Sequence, residues 1–210
     1  MKGFIGPIGP VLLGALVTAG SVRAAGTEFD FKDPKGVNGI SFTLDSLLEP
    51  FAGVASGISG KVTFDPADPK ATKGTISVET KSLHLENKGM EGALHGKDWL
   101  DVAKNPKIEF AIKNVTDYKS AGDNVFELTV VGDLTCKGVT KEQTVQVKAT
   151  LLPGMLGERS NKKLTGDLLM LRANFAMKRK DFGIKPDSTD KVVAEEIQLR
   201  VSIAGVSPKK

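Results

Sequence analysis

The chain has one cysteine, Cys136, in 210 residues. A lone thiol closes no internal disulfide, so the fold must rest on packing and hydrogen bonds. Tryptophan and tyrosine occur once each and histidine twice, as His84 and His95. Two histidines eleven residues apart with the cysteine far downstream match no zinc spacing, and no metal site is expected. There is no Gly-x-Ser-x-Gly elbow, no phosphate-binding loop and no motif pairing two acids. Nothing here reads as an enzyme, and no cofactor is expected.

An excess of charge of one sign is also missing. Lys and Arg number 29 against 25 acids; without residues 1–24, which hold Lys2 and Arg23 and no acid, 27 bases face 25 acids, a net charge of +2. Nucleic-acid binding usually needs a concentrated basic face, so no nucleic acid is expected as a partner. Beyond the amino terminus no run is long and apolar enough to span a bilayer, and stable membrane insertion is not expected.

The amino terminus itself, "MKGFIGPIGPVLLGALVTAGSVRAAGTEFD", sets Lys2 before an apolar stretch and small residues around Val22-Arg23-Ala24-Ala25. That pattern predicts a signal peptide over 1–24, cut after Ala24 or Ala25. A membrane anchor is the alternative, but glycines and prolines interrupt the run. With no cysteine beside the cut to carry a lipid, the mature chain, 25–210, is expected to be a soluble single domain.

What the chain does hold is 40% hydrophobic residues, 23 glycines and ten prolines, with runs rich in Val, Thr, Ile and Phe. These predict an all-β protein of short strands and tight turns. Strict alternation places Ile40, Phe42 and Leu44 on one face, then Ile58, Val62 and Phe64, then Ile76 and Val78. Ile108, Phe110 and Ile112 follow, then Phe126, Leu128, Val130, Leu134 and Cys136, then Val145, Val147 and Ala149. The last two runs are Leu169, Leu171, Ala173, Phe175 and Met177, and Ile197, Leu199, Val201 and Ile203. Roughly eight strands with one apolar face each bury those faces most economically as a closed antiparallel barrel.

One segment departs from alternation. In "NKGMEGALHGKDWLDVAKNP", residues 87–106, Met90, Leu94, Trp99, Leu100 and Val102 fit helical turns. Pro106 would end such a helix, which is read as a short lid across one barrel end. Cys136 shares its face with Leu134 and Val130, which favours packing over nucleophilic work. The "KRKD" run, 178–181, is a compact basic group suited to an anionic headgroup or simply to solvent.

Three stretches together resemble the YceI family: "GDLTCKGVTKEQTVQV", "LHGKDWLDVAKNPKIEF" and "MKRKDFGI", with "GKVTFDP" earlier in the chain. The resemblance implies an up-and-down lipocalin-like β-barrel. It further implies an isoprenoid, such as an isoprenoid quinone or prenyl diphosphate, or another long-chain lipid as ligand, a periplasmic location, and homodimers in some members. On that reading Phe42, Phe64, Phe110, Phe126, Val130, Val147, Leu171, Phe175 and Leu199 are the expected wall of a ligand-binding lumen. Trp99 and Leu100 are expected to close one end, and Arg179 to contact a headgroup. Two rivals remain at this stage: a stress-related or structural interaction protein whose barrel is packed solid, and an enzyme using Cys136.

Overall fold

The computed structural model describes residues 26–33 and 35–209. The expected signal peptide and its cleavage bond lie outside the described residues.

Eleven strand segments form one sheet: β1 (Thr27–Asp30), β2 (Gly39–Leu44), β3 (Phe51–Ala55), β4 (Ile58–Phe64), β5 (Lys73–Glu79), β6 (Leu83–Leu85), β7 (Lys107–Gly122), β8 (Val125–Cys136), β9 (Val139–Leu152), β10 (Gly166–Lys178) and β11 (Glu196–Pro208). Every pairing is antiparallel. The number of segments exceeds the expected eight because three wall positions are occupied by broken strands. β1 and β2 lie in succession along one edge of β11, Asp30 opposite Val206 and Gly39 opposite Ser202. β3 with β4, and β5 with β6, continue the same arrangement around the wall. The result is a closed eight-stranded antiparallel barrel, as the alternation predicts.

Turn chemistry sets the long hairpins. Lys137 and Gly138 both adopt positive φ, 50° and 75°, the geometry of a two-residue turn whose twist matches that of the flanking strands. Cys136 thereby pairs with Val139, and the alternation stays in register to the far end, where Val125 faces Thr150. Gly132 serves space instead: a Cβ there would sit 2.6 Å from the Phe110 ring. Its absence lets that ring turn into the barrel.

The gap between β1 and β2 is closed by a side chain. Asn38 donates to the carbonyls of Phe31 and Ala204 at 3.1 Å each and accepts from Ala204 N at 2.9 Å. Its amide thus supplies β11 with the pairing that a missing strand residue would have made. Arg159 braces this amide from α2 (Leu156–Arg159), donating to Asn38 at 3.1 Å and pairing with Asp33 at 3.1 Å. Burial alone would raise the Asp33 pKa, but backbone N–H groups of Asn38 and Lys35, the Arg159 guanidinium and the Val37 N–H together hold it below its ordinary value. At four residues this helix is too short to show a period in the sequence.

The base of the barrel is a solid plug. Phe29, Phe31 and Phe64 are buried there. Phe64 and Phe126 meet edge to face with centroids 5.3 Å apart, a favoured aromatic geometry.

At the opposite end the expected helix over 87–106 is only α1 (Lys88–His95). Asn87 caps it, accepting from Gly89 and Met90 N–H. It stops at Gly96, ten residues before Pro106, because the chain turns back on itself: Trp99 and Asp101 N–H both return to the Gly96 carbonyl. Residues 96–106 are a folded strap of turns, and Asn105 Nδ2 fastens them through the carbonyls of Leu100 and Asp101.

Candidate functional site

Above the plug the barrel is hollow. A cavity of about 190 Å³ runs from Val62, Phe64, Thr72 and Leu169 up to Leu94, Trp99, Leu100 and Ile184. Its wall is hydrocarbon almost throughout; only Thr72, Trp99, Cys136, Met177 and Arg172 carry a heteroatom in the side chain, and Arg172 is exposed on the outer face. Several inward residues, among them Phe110, Ile112, Leu171, Phe175, Leu199 and Val201, stay only part-buried while those of the plug are fully buried. A side chain that points inward and still keeps accessible surface faces empty space.

Ten of the twelve sequence-derived candidates line this cavity: Phe42, Phe64, Trp99, Leu100, Phe110, Val130, Val147, Leu171, Phe175 and Leu199. Two do not. Phe126 is buried on the same face of β8 but sits one layer down, as part of the plug against Phe64.

Arg179 lies outside the lumen and has no exposed surface. Its Nε donates to Ala194 O at 3.0 Å, and Nη2 to Val193 O at 2.8 Å and Ser188 O at 2.9 Å. Nη1 donates to Ile184 O at 3.1 Å and to Lys185 O. A guanidinium so surrounded has no donor left for a headgroup. Arg179 instead pins the loop 183–195, whose Ile184 lines the lumen. The "KRKD" run divides accordingly: Arg179 is structural, Lys178 is exposed, and Lys180 pairs with Asp190 at 2.8 Å.

The lid is tied on three sides. Glu91 Oε2 accepts from Leu85 N at 2.9 Å, and His95 Nε2 meets Leu83 O at 2.8 Å, so α1 satisfies the free edge of β6 with side chains. Lys137 Nζ, at the tip of the β8–β9 hairpin, donates to the carbonyls of Asp98 and Gly183 at 3.0 and 2.7 Å. Trp99 meets Phe51 edge to face at 5.6 Å. The Leu85 N–H above all, opposed by desolvation and aided by Lys88 and His84, keeps the Glu91 pKa below its ordinary value.

Cys136 faces the upper lumen, 1% exposed. Burial pushes its thiol pKa up to about 12, against a smaller opposite pull from Lys137. At neutral pH burial keeps it in the thiol form. Among the described residues no group of three His, Cys, Asp or Glu could hold a metal ion, and no helix is long and apolar enough to cross a membrane.

A family model for the YceI-like domain matches residues 25–204. The chain belongs to the YceI-like family. A UPF0312 protein of Yersinia pestis is 33% identical over 199 residues, covering 94% of this chain and 95% of the relative. Among solved structures, BcnA of Burkholderia cenocepacia superposes with TM-score 0.60 at 24% identity, over 80% of this chain and 95% of its own. A domain from Saccharophagus degradans, described as polyisoprenoid-binding and implicated in plant cell wall breakdown, superposes with TM-score 0.59 at 8% identity, over 87% of this chain and 99% of its own. The fold is thus shared where almost no residues are.

In this YceI-like barrel the sequence reading missed two kinds of residue. Ile184 closes the lumen from an irregular segment, where no period-two signal exists to flag it, and Leu94, legible only as part of the helical lid, lines it too. Ile40, Leu44, Ile76 and Val201 were on the apolar face by alternation and line the cavity as well.

Proposed function

We propose that this YceI-like protein is an exported, periplasmic carrier or store for a long-chain isoprenoid lipid, of the isoprenoid quinone or prenyl diphosphate class. The observation that carries the reading is the closed hydrocarbon lumen between plug and lid. Water gains no partners on such a wall, whereas an apolar chain gains contacts along its whole length. Export is supported by the amino-terminal sequence pattern, and the ligand class by the polyisoprenoid-binding description of the Saccharophagus domain.

Burial energetics favour a long tail. The lumen of about 190 Å³ is lined by hydrocarbon, and at about 0.8 kcal/mol per buried methylene each five-carbon isoprene unit enclosed contributes on the order of 3–4 kcal/mol. An association cost of about 4–15 kcal/mol opposes it. Retention therefore depends steeply on how many units are enclosed, and shorter prenyl chains should be held poorly. Nothing in the transfer requires a catalytic group.

The test is solvent extraction of the protein purified from cells, followed by mass spectrometry. A polyisoprenoid recovered in near-stoichiometric amount is the expected result. An extract without lipid, from a protein that also takes up no added isoprenoid quinone, would leave an interaction protein with an idle barrel.

A further inference from the structure

Positive charge is concentrated on two loops near the plugged end. The connection 31–38 and the loop 153–165 together hold Lys32, Lys35, Arg159, Lys162 and Lys163 against Asp33 and Glu158, five bases to two acids, a net charge of +3. Residues 25–210 as a whole carry only +2, so the rest of the mature chain nets −1. The two loops meet in space: Lys35 Nζ donates to the Arg159 carbonyl, and Arg159 binds Asn38 and Asp33. Arg159 and Asp33 neutralise one another inside this joint, while Lys32, Lys35, Lys162 and Lys163 are exposed.

Exposed large apolar side chains stand among these lysines. Val37, Met155 and Leu164 are 63%, 44% and 48% exposed. Ser160 Oγ holds the loop at its far side by accepting from Leu164 N at 3.1 Å. Asn161 and Lys162, in succession, adopt the left-handed region at φ 54° and 61°, so the chain turns sharply at the lysine pair. Apolar side chains set among lysines match an anionic bilayer surface, which takes the former into its acyl boundary and attracts the latter. Leu47, Leu48 and Val192 are also exposed, but they lie at the lid end on the loops 45–50 and 183–195, where Asp45, Glu49, Asp187, Asp190 and Glu195 outnumber Lys185 and Lys191, a net charge of −3 that an anionic leaflet would repel.

We propose that the loops 31–38 and 153–165 form a docking surface for an anionic phospholipid bilayer, with Met155, Leu164 and Val37 entering the headgroup region and the four lysines flanking them. Docking of this kind leaves the lid end away from the membrane. It goes beyond the cargo reading and does not depend on what the lumen holds.

Co-sedimentation tests it, with the protein as the cell exports it and vesicles of phosphatidylethanolamine with or without phosphatidylglycerol. The expected result is binding only where phosphatidylglycerol is present, weakening as salt rises. One lysine near an anionic leaflet is worth on the order of five-fold in partitioning, so K162Q/K163Q should lower binding about twenty-five-fold. M155S/L164S should lower it as well, while L47S/L48S at the opposite end should leave it unchanged. All these positions are exposed, and circular dichroism checks that each variant keeps its sheet. Equal binding to uncharged vesicles, undiminished binding by K162Q/K163Q, or retention on nucleic acid with no vesicle binding at low salt would overturn the proposal.

Discussion

Arg179 is a cation that never meets solvent, and its fork of donors is matched by carbonyls from five residues of one loop. A lysine keeps the charge but offers three donors from a single point, so several of those carbonyls would lose their partner. We expect Arg179→Lys to destabilise the fold by about 2–4 kcal/mol and to speed amide exchange across 183–195. An unchanged urea midpoint would show that the loop is held by something else. Cys136 gives a prediction in pH. Its folded pKa is raised, so the folded chain keeps a proton that the unfolded chain releases as pH passes 9, and stability should fall between about pH 9 and 12. Below that window the contribution is fully present. Cys136→Val should remove this part of the alkaline loss, and a maleimide should label the wild-type thiol only after unfolding. The face of Cys136 was legible from parity alone, because its neighbours two and six residues back are apolar. The role of Arg179 was not: a basic run reads the same whether its members meet water or carbonyls, and only the path of the following loop decides.

At the level of elements, alternation located β8 to β11 because a period of two survives in them, but of β7 it showed only the start, since register shifts after Ile112 break the period. It failed at the short pieces. β1 and β3 have four and five residues, too few to establish a period, and β3 includes Gly53, whose missing side chain makes room for the Phe42 ring. The expected helix is longer than the observed one for a related reason: Trp99, Leu100 and Val102 fit helical spacing, but Trp99 and Leu100 are apolar because they line the lumen and Val102 because it packs on the core. The lid yields its own test. Glu91 accepts the edge N–H of β6 with a carboxylate whose pKa is lowered, so that contact is present above the ordinary carboxylate range and is lost as pH falls through the lowered value. We expect Glu91→Gln to raise hydrogen exchange at Leu85 by about tenfold. The variant should also make the protection of that amide independent of pH through the range in which Glu91 would be protonated. Exchange that stays slow in Glu91→Gln would mean that α1 is held by His95 and packing alone.

For the whole molecule the decisive property is that its middle is empty while both ends are closed. Filling it should separate cargo from fold. Val130 lies on the lumen wall of β8, between Val115 on β7 and Val145 on β9. Val130→Trp should leave the sheet spectrum intact and cut lipid recovery at least several-fold; full recovery from a folded variant would mean that the tail lies elsewhere. Hollowness itself was not legible, since inward residues of medium size describe a packed barrel as well as an open one until their mutual distances are known.

One feature of the wall bears on how that interior behaves. The interruptions at 31–38, 56–57 and 80–82 fall on three adjacent wall positions, and bonds from Gly57 N to Ser82 Oγ and from Glu79 N to Gly57 O join two of them. The other five staves are single strands of 12 to 16 residues, and of these β7, next to the interrupted positions, has three register shifts against β8. Breaks and bulges of this kind are where sheets bend, so the tube has a stiff side around β9 to β11 and a creased side. Strain from a thick guest gathers along the crease, and girth, not only length, becomes a quantity to which the barrel can yield.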